Sequence, residues 1–296
     1  MGSLESTLQV VRGASADGAW EMVRGEPPLA LRGAVRQRYG FAESGTHHAP
    51  RNEVASAAVV LIVSFGAPYR IADADDPGRM TDHPLGFIGG LSEGHAVSQA
   101  TGDACCIQVM LSPLGAHRLL GCLPMRELSN RTIGLDALFG AEAERLAARL
   151  HDAPGWDARF GIVDGFIAER VARAGAPPAG VAHAWRRLCE SDGRMEIGAL
   201  AREIGCSRKY LLSCFREHVG LAPKSVARVM RFERAVRLLG RAGADVRWSD
   251  LALGCGYYDQ AHFIRDFRQF AGTTPGAFLR AKLDGRPSAD DAPSAG

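Results

Sequence analysis

The 296 residues are 46% hydrophobic and 23% charged with a formal net charge of +2, a balance that suits folded domains with buried cores and excludes a disordered or collagen-like chain. The length favours two domains. Seven cysteines, an odd number without a C-x-x-C pair, argue against a disulfide framework and a zinc finger and point to a reducing cytoplasm.

Along the chain, the opening "MGSLESTLQVVRG" lacks the basic start and continuous apolar stretch of a secretory leader. The longest apolar run, "VASAAVVLIVSF" from Val54, falls short of the roughly 20 residues of a membrane span, so no membrane partner is expected. It reads as a buried strand. Residues 54 to 112 hold further short runs, "GFIGGL" and "CCIQVMLS", divided by turns such as "DADDPG", and predict a mostly β unit. Cys105 and Cys106 lie inside the last run and read as structural thiols, which behave as small hydrophobes. After Pro113, "GAHRLLGC", "EAERLAARL" and a long stretch to Ala174 carry apolar residues at helical spacing. The N-terminal domain is therefore expected to be α+β, mostly β followed by helices, over residues 1–173, with the double-proline segment 174–180 as a linker.

Charge is divided unevenly. Residues 184 to 283 hold 18 Lys and Arg against 10 Asp and Glu, an excess of eight, so the remainder of a chain of net +2 is acidic by six. A basic domain attached to an acidic one suggests a polyanionic partner for the basic part. That part reads as all-α over residues 181–284, with 285–296 a disordered tail, and it contains an internal repeat. A shift of 52 aligns Ser207 with Asp259, Leu211 with Phe263, Phe215 with Phe267, Gly220 with Gly272 and Pro223 with Pro275. Each unit has a Ser or Asp helix cap, an apolar pair at i and i+4, a closing Gly and a Pro. Before each, a Leu-Ala helix ends in a tight turn, "IGCS" or "CGYYD", so both units predict helix-turn-helix. Between them, "KSVARVMRFERAVRLL" places Val229, Phe232, Val236 and Leu239 on one stripe of a single connecting helix.

The segments "SRKYLLSCFREHVGLAP", "RFERAVRLL" and "LALGCGYYDQAHFIRDFRQFAGTTPGAF" resemble the two-helix-turn-helix DNA-binding domain of AraC-family transcription regulators, over about a hundred residues from Trp185 to Lys282. The resemblance implies a regulator that binds double-stranded promoter DNA and works with RNA polymerase. It also implies an N-terminal domain, often a cupin-like barrel followed by helices, that senses a small-molecule effector or makes a homodimer. Family positions that touch bases fall on Lys209, Leu212 and Ser213. In the second unit the corresponding outward residues are Gln260, Ala261, Ile264 and Arg265. Arg265 suits guanine, Gln260 adenine and Leu212 a thymine methyl. Arg208, Arg216, Arg228, Arg231, His262 and Arg268 flank these and suit phosphates, while Ser207 and Asp259 are caps.

A second reading is a metal-dependent cupin-like enzyme with a DNA-binding appendage, suggested by His47, His48 and Glu53 in "GTHHAPRNE". Adjacent residues of a strand face opposite sides, so both histidines would not enter one barrel. The expectation is accordingly no metal, no cofactor and no catalytic residue.

Overall fold

The computed structural model describes residues 8–15, 18–45, 50–72, 76, 78–241 and 246–283. Its N-terminal strands are β1 (Gln9–Ser15), β2 (Gly18–Gly25), β3 (Val35–Gly45), β4 (Arg51–Glu53), β5 (Val59–Ser64), β6 (Tyr69–Ala72), β7 (Met80–His83), β8 (Gly86–Gly89), β9 (Ala96–Ala100), β10 (Ala104–Leu111) and β11 (Thr132–Gly134). They form two antiparallel sheets, one in the order β1-β2-β3-β10-β5-β8-β11 and one in the order β4-β9-β6-β7. The sheets approach each other where the Tyr69 hydroxyl lies 3.6 Å from Cys106 Sγ. The helices of this half are α1 (Pro113–Leu119), α2 (Leu135–Phe139), α3 (Ala141–Asp152) and α4 (Trp156–Arg173). Ser112 starts α1, its hydroxyl accepting from Gly115 N at 3.0 Å, with Pro113 at the first helical position.

Strand alternation gives the large sheet two unlike faces. On one, Val23, Leu61, Val63, Ile88, Ile107 and Val109 are 0–1% exposed beneath α3 and α4. Trp156 of α4 comes so close that a Cβ on Gly40 would sit 2.3 Å from its ring, and its indole N–H donates to Glu21 at 2.6 Å. Arg38 is 5% exposed on this face. Its guanidinium pairs with Asp164 of α4, donates to the Glu26 carbonyl at 2.8 Å and lies 4.6 Å from the Phe160 ring centre. A buried charge is tolerated because its donors are met. On the face turned toward the small sheet, Gln37, Phe41, Phe87, Gln108 and Met110 remain half-exposed beside the buried Tyr39, Ile62 and Cys106. The main core of this half thus lies between sheet and helices rather than between the sheets.

The expected strands are present as β5, β8 and β10, and the expected helices as α1, α3 and α4. Strands β1 to β3 lie upstream of the predicted β region. Their alternation is hidden in sequence because buried Arg38 occupies an apolar-face position while Gln37 and Phe41 face a half-solvated interior. The two adjacent thiols project to opposite faces of β10. Cys106 is buried and pushed up to about 12 by that burial, and Cys105 is likewise raised by burial.

Residues 174–178 separate α4 from the C-terminal helices α5 (Ala179–Glu190), α6 (Ile197–Ile204), α7 (Arg208–His218), α8 (Pro223–Leu239), α9 (Trp248–Gly254), α10 (Gln260–Ala271) and α11 (Pro275–Leu283). No helix among the described residues is long and apolar enough to cross a membrane. The proposed tail, 285–296, lies outside the described residues, as do His47 and His48. Glu53 accepts a hydrogen bond from the Ser98 hydroxyl.

Candidate nucleic-acid interface

Both repeats fold by the same local rules. In the first, the backbone turns at Gly205 with φ +75°, and the Ser207 side chain accepts from Tyr210 N at 3.1 Å to begin α7. In the second, Gly256 turns at φ +84°, and Asp259 accepts from His262 N at 2.7 Å to begin α10. Glycine holds this left-handed geometry without strain on a Cβ, and each cap meets an N–H that has no partner within its helix. Ala201 and Ala252, 2% and 0% exposed, allow the paired helices to approach. Leu211 and Phe215 point inward from α7, as Phe263 and Phe267 do from α10.

That burial fixes which side chains remain outside. Lys209, Ser213 and Arg216 are exposed on α7, with Leu212 half-exposed; Gln260, Ala261, Arg265 and Arg268 are exposed on α10, with Ile264 half-buried. Arg208 is exposed and lies 3.3 Å from Glu196, the acid that caps α6. Tyr210 and Tyr258 add exposed aromatic rings beside the two caps, 61% and 87% accessible. The doublet "GYYD" held the signal for Tyr258, since one of its tyrosines had to face outward once Tyr257 filled the turn.

The connecting helix α8 is continuous, and Val229, Phe232 and Leu239 are buried along it while Val236 is half-buried. Phe232 meets Phe267 and Phe270 at ring separations of 5.1 and 5.3 Å. Its arginines act as struts toward both repeats. Arg234 and Arg237 reach Asp192, in the turn before α6. Burial works against the Asp192 charge, but the two guanidinium groups outweigh it and hold the carboxyl below its usual range. Arg228 donates to Asp266 of α10 at 2.7 and 3.2 Å and to Gln269 at 2.8 Å. Hydrogen bonding to Asp266, 2% exposed, holds the Arg228 guanidinium above its ordinary range. Arg231 lies over the Tyr257 ring at 5.6 Å and donates to the Gly193 carbonyl at 3.4 Å.

Arg228 and Arg231, expected to face phosphates, have their guanidinium groups engaged in bracing α8 against its neighbours. His262 is half-buried, edge-on to Tyr257 at 5.3 Å and 3.6 Å from Asp266.

The N-terminal half grips this scaffold in places that sequence reasoning missed. The Glu233 carboxylate of α8 accepts from Ser56 Oγ at 2.8 Å and Ala57 N at 2.9 Å. Glu217 pairs with Arg126, and the ring nitrogens of His218 and His117 are 3.1 Å apart. The Leu123 carbonyl, 3.0 Å from His117 Nδ1, can only accept, so His117 carries its proton there and His218 Nδ1 donates to His117 Nε2. Burial, then the neighbouring His117, lowers the tendency of His218 to take a proton.

Residues 200–281 match the family model described as a helix-turn-helix domain. Among solved structures, ToxT from Vibrio cholerae in its P21 form is 12% identical, with 82% of this chain and 97% of that chain covered and a TM-score of 0.47. ToxT from Vibrio cholerae O395 bound to (E)-4-(8-methylnaphthalen-1-yl)but-3-enoic acid is also 12% identical, covering 82% and 98%, with a TM-score of 0.46. The formate complex of Lactobacillus farciminis oxalate decarboxylase is 15% identical over 38% of this chain and 34% of that chain, with a TM-score of 0.24. No curated protein matches the chain.

Proposed function

We infer that this chain, whose residues 200–281 match a helix-turn-helix domain model, is a sequence-specific transcription regulator of the AraC type that reads promoter DNA with α7 and α10. One observation carries the reading: two capped helices in repeated register expose polar readers while a single braced helix holds them together. With one helix in each of two successive major grooves, their separation would match one DNA turn, roughly 34 Å. Lys209, Leu212 and Ser213 then face base edges from α7, and Gln260, Ala261, Ile264 and Arg265 from α10. Arg208, Arg216, His262 and Arg268 supply phosphate contacts, which position the protein without specifying sequence. Arg228 and Arg231 leave that set and become positioning residues.

The N-terminal half is the sensor in this reading. Half-exposed side chains between its two sheets, Gln37 and Gln108 among them, offer mixed polar and apolar surface to a small-molecule effector, as ligand sites generally do. A groove of about 450 Å3 between α3 and α4, lined by Arg145, Arg149, Ile162 and Phe166, is the surface we assign to a homodimer. RNA polymerase is the partner a promoter-bound regulator addresses.

Selection of duplexes from a random pool with the full chain, followed by mobility shift across a salt series, tests the reading. Enrichment of a two-part motif is expected, with affinity falling by about 0.9 log unit per log unit of salt for each phosphate contact. No enrichment and no shift at low salt would sink it.

A further inference from the structure

Any α-helix leaves its last carbonyls without partners inside the helix. At the end of α10 the N-terminal half supplies them. His95 N donates to the Gln269 carbonyl at 3.3 Å, and Ala55 N to the Phe270 carbonyl at 2.9 Å. The Gln269 side chain tightens the same junction, donating to the Glu93 carbonyl at 2.6 Å while accepting from Arg228. Gly272, which ends α10 at φ +68°, lies so close to His95 that a Cβ there would stand 2.8 Å from the ring. The end of α7, by contrast, meets the N-terminal half through side chains, Glu217 and His218.

The two amides are not on independent loops. Ala55 follows β4 by two residues and His95 immediately precedes β9, and these strands pair directly, Glu53 opposite Ala96. On the same ladder Ser98 donates to the Glu53 carboxylate. Ser98 is 8% exposed, on the side of the small sheet that carries Ile71 and Tyr69 toward the large sheet. Burial raises the Glu53 carboxyl above its usual range, against the hydrogen bond from Ser98.

We propose that the β4–β9 pair is a lever by which the space between the sheets sets the aim of α10: a ligand that competes for the Glu53–Ser98 hydrogen bond shifts the Ala55 and His95 amides and re-aims the second recognition helix. The first helix, α7, remains as a fixed reference. This regulation rests on the reading of α7 and α10 as the DNA-reading helices. A group that takes the place of Ser98 on the Glu53 carboxylate is by chemistry a hydrogen-bond donor, such as a hydroxyl or amine on a small molecule.

The test uses the full chain and duplex selection from a random pool, with Glu53→Gln and Ser98→Ala as perturbations of the lever and Gln269→Ala, on the surface of α10, as a break at its far end. Each is expected to weaken base preference in the α10 half of the motif by ~5-fold, within the usual range of coupling between sites, while the α7 half keeps its preference. Amide exchange at Ala55 and His95 should quicken in the two interior variants. Unchanged preference in the α10 half overturns the lever, as does an equal loss in both halves, which is what general destabilisation produces. If an interior variant does not fold, Gln269→Ala still decides the far end by the same comparison of halves. A wild-type chain that selects no sequence removes the regulator reading itself, a result distinct from selective insensitivity of the α10 half.

Discussion

The two helix-turn-helix units share a backbone plan and differ in what fills it. In the first, α6 and α7 bury Leu200, Leu211 and one aromatic ring, Phe215. The second is a connected aromatic cluster in which Phe263 meets Tyr257 at 5.3 Å and Phe267 at 5.6 Å, and Phe267 meets Phe278 at 5.5 Å. Their outward faces differ in parallel. The helix α7 offers Lys209 and Ser213, a point charge and a hydroxyl of broad base tolerance, whereas α10 offers Gln260 and Arg265, which can bind a base bidentately. In the proposed reading, directional readers on α10 beside tolerant ones on α7 divide the labour, with α10 specifying and α7 anchoring.

Removing the brace is the severest way to break this contrast. Phe267→Ala deletes a fully buried ring shared by α8, α10 and α11 and should cost about 3–5 kcal/mol of stability, measured by urea unfolding. A loss below about 1 kcal/mol would mean that the cluster does not brace the unit.

The division of reading is tested more gently. Arg265→Ala should cost about 1–3 kcal/mol at its cognate base and relax selection there. Lys209→Ala should cost less and spread its effect more evenly over sequences. Motifs selected by each variant from one pool check both outcomes, and a sharper change from Lys209→Ala would reverse the assignment.

The smallest expected effect concerns how the helix ends are held. The folded state lowers the pKa of His218, so its contribution is fully present above the unfolded value of about 6.5 and is lost as pH falls from there through the folded value. Acidification from about pH 7 to about pH 5.5 should therefore lower the amide protection factors, taken relative to the intrinsic exchange rate at each pH, at the end of α7 before the end of α10, whose carbonyls are met by backbone amides. Simultaneous loosening of both ends would contradict the distinction between side-chain and backbone anchoring.

Much of the helix-turn-helix half was written locally. Ser207 and Asp259 lie next to their helices, Gly205 and Gly256 hold turns that tolerate no Cβ strain, and the inward pairs follow helical spacing, so caps, turns and outward faces could be derived from neighbours within a few residues of one another. The tertiary structure decided the rest. Arg228 looked like any surface arginine until packing brought buried Asp266, 38 residues away, against it. In the N-terminal half, β3 pairs with β10 across more than sixty residues, and Arg38 takes an apolar-face position because α4 brings Asp164 to it. The grip on α10 is less visible still, since Ala55 and His95 hold its last carbonyls through their amides. Every residue except proline carries that donor, and nothing in the side chains marks which amides will meet the open carbonyls at the end of a distant helix.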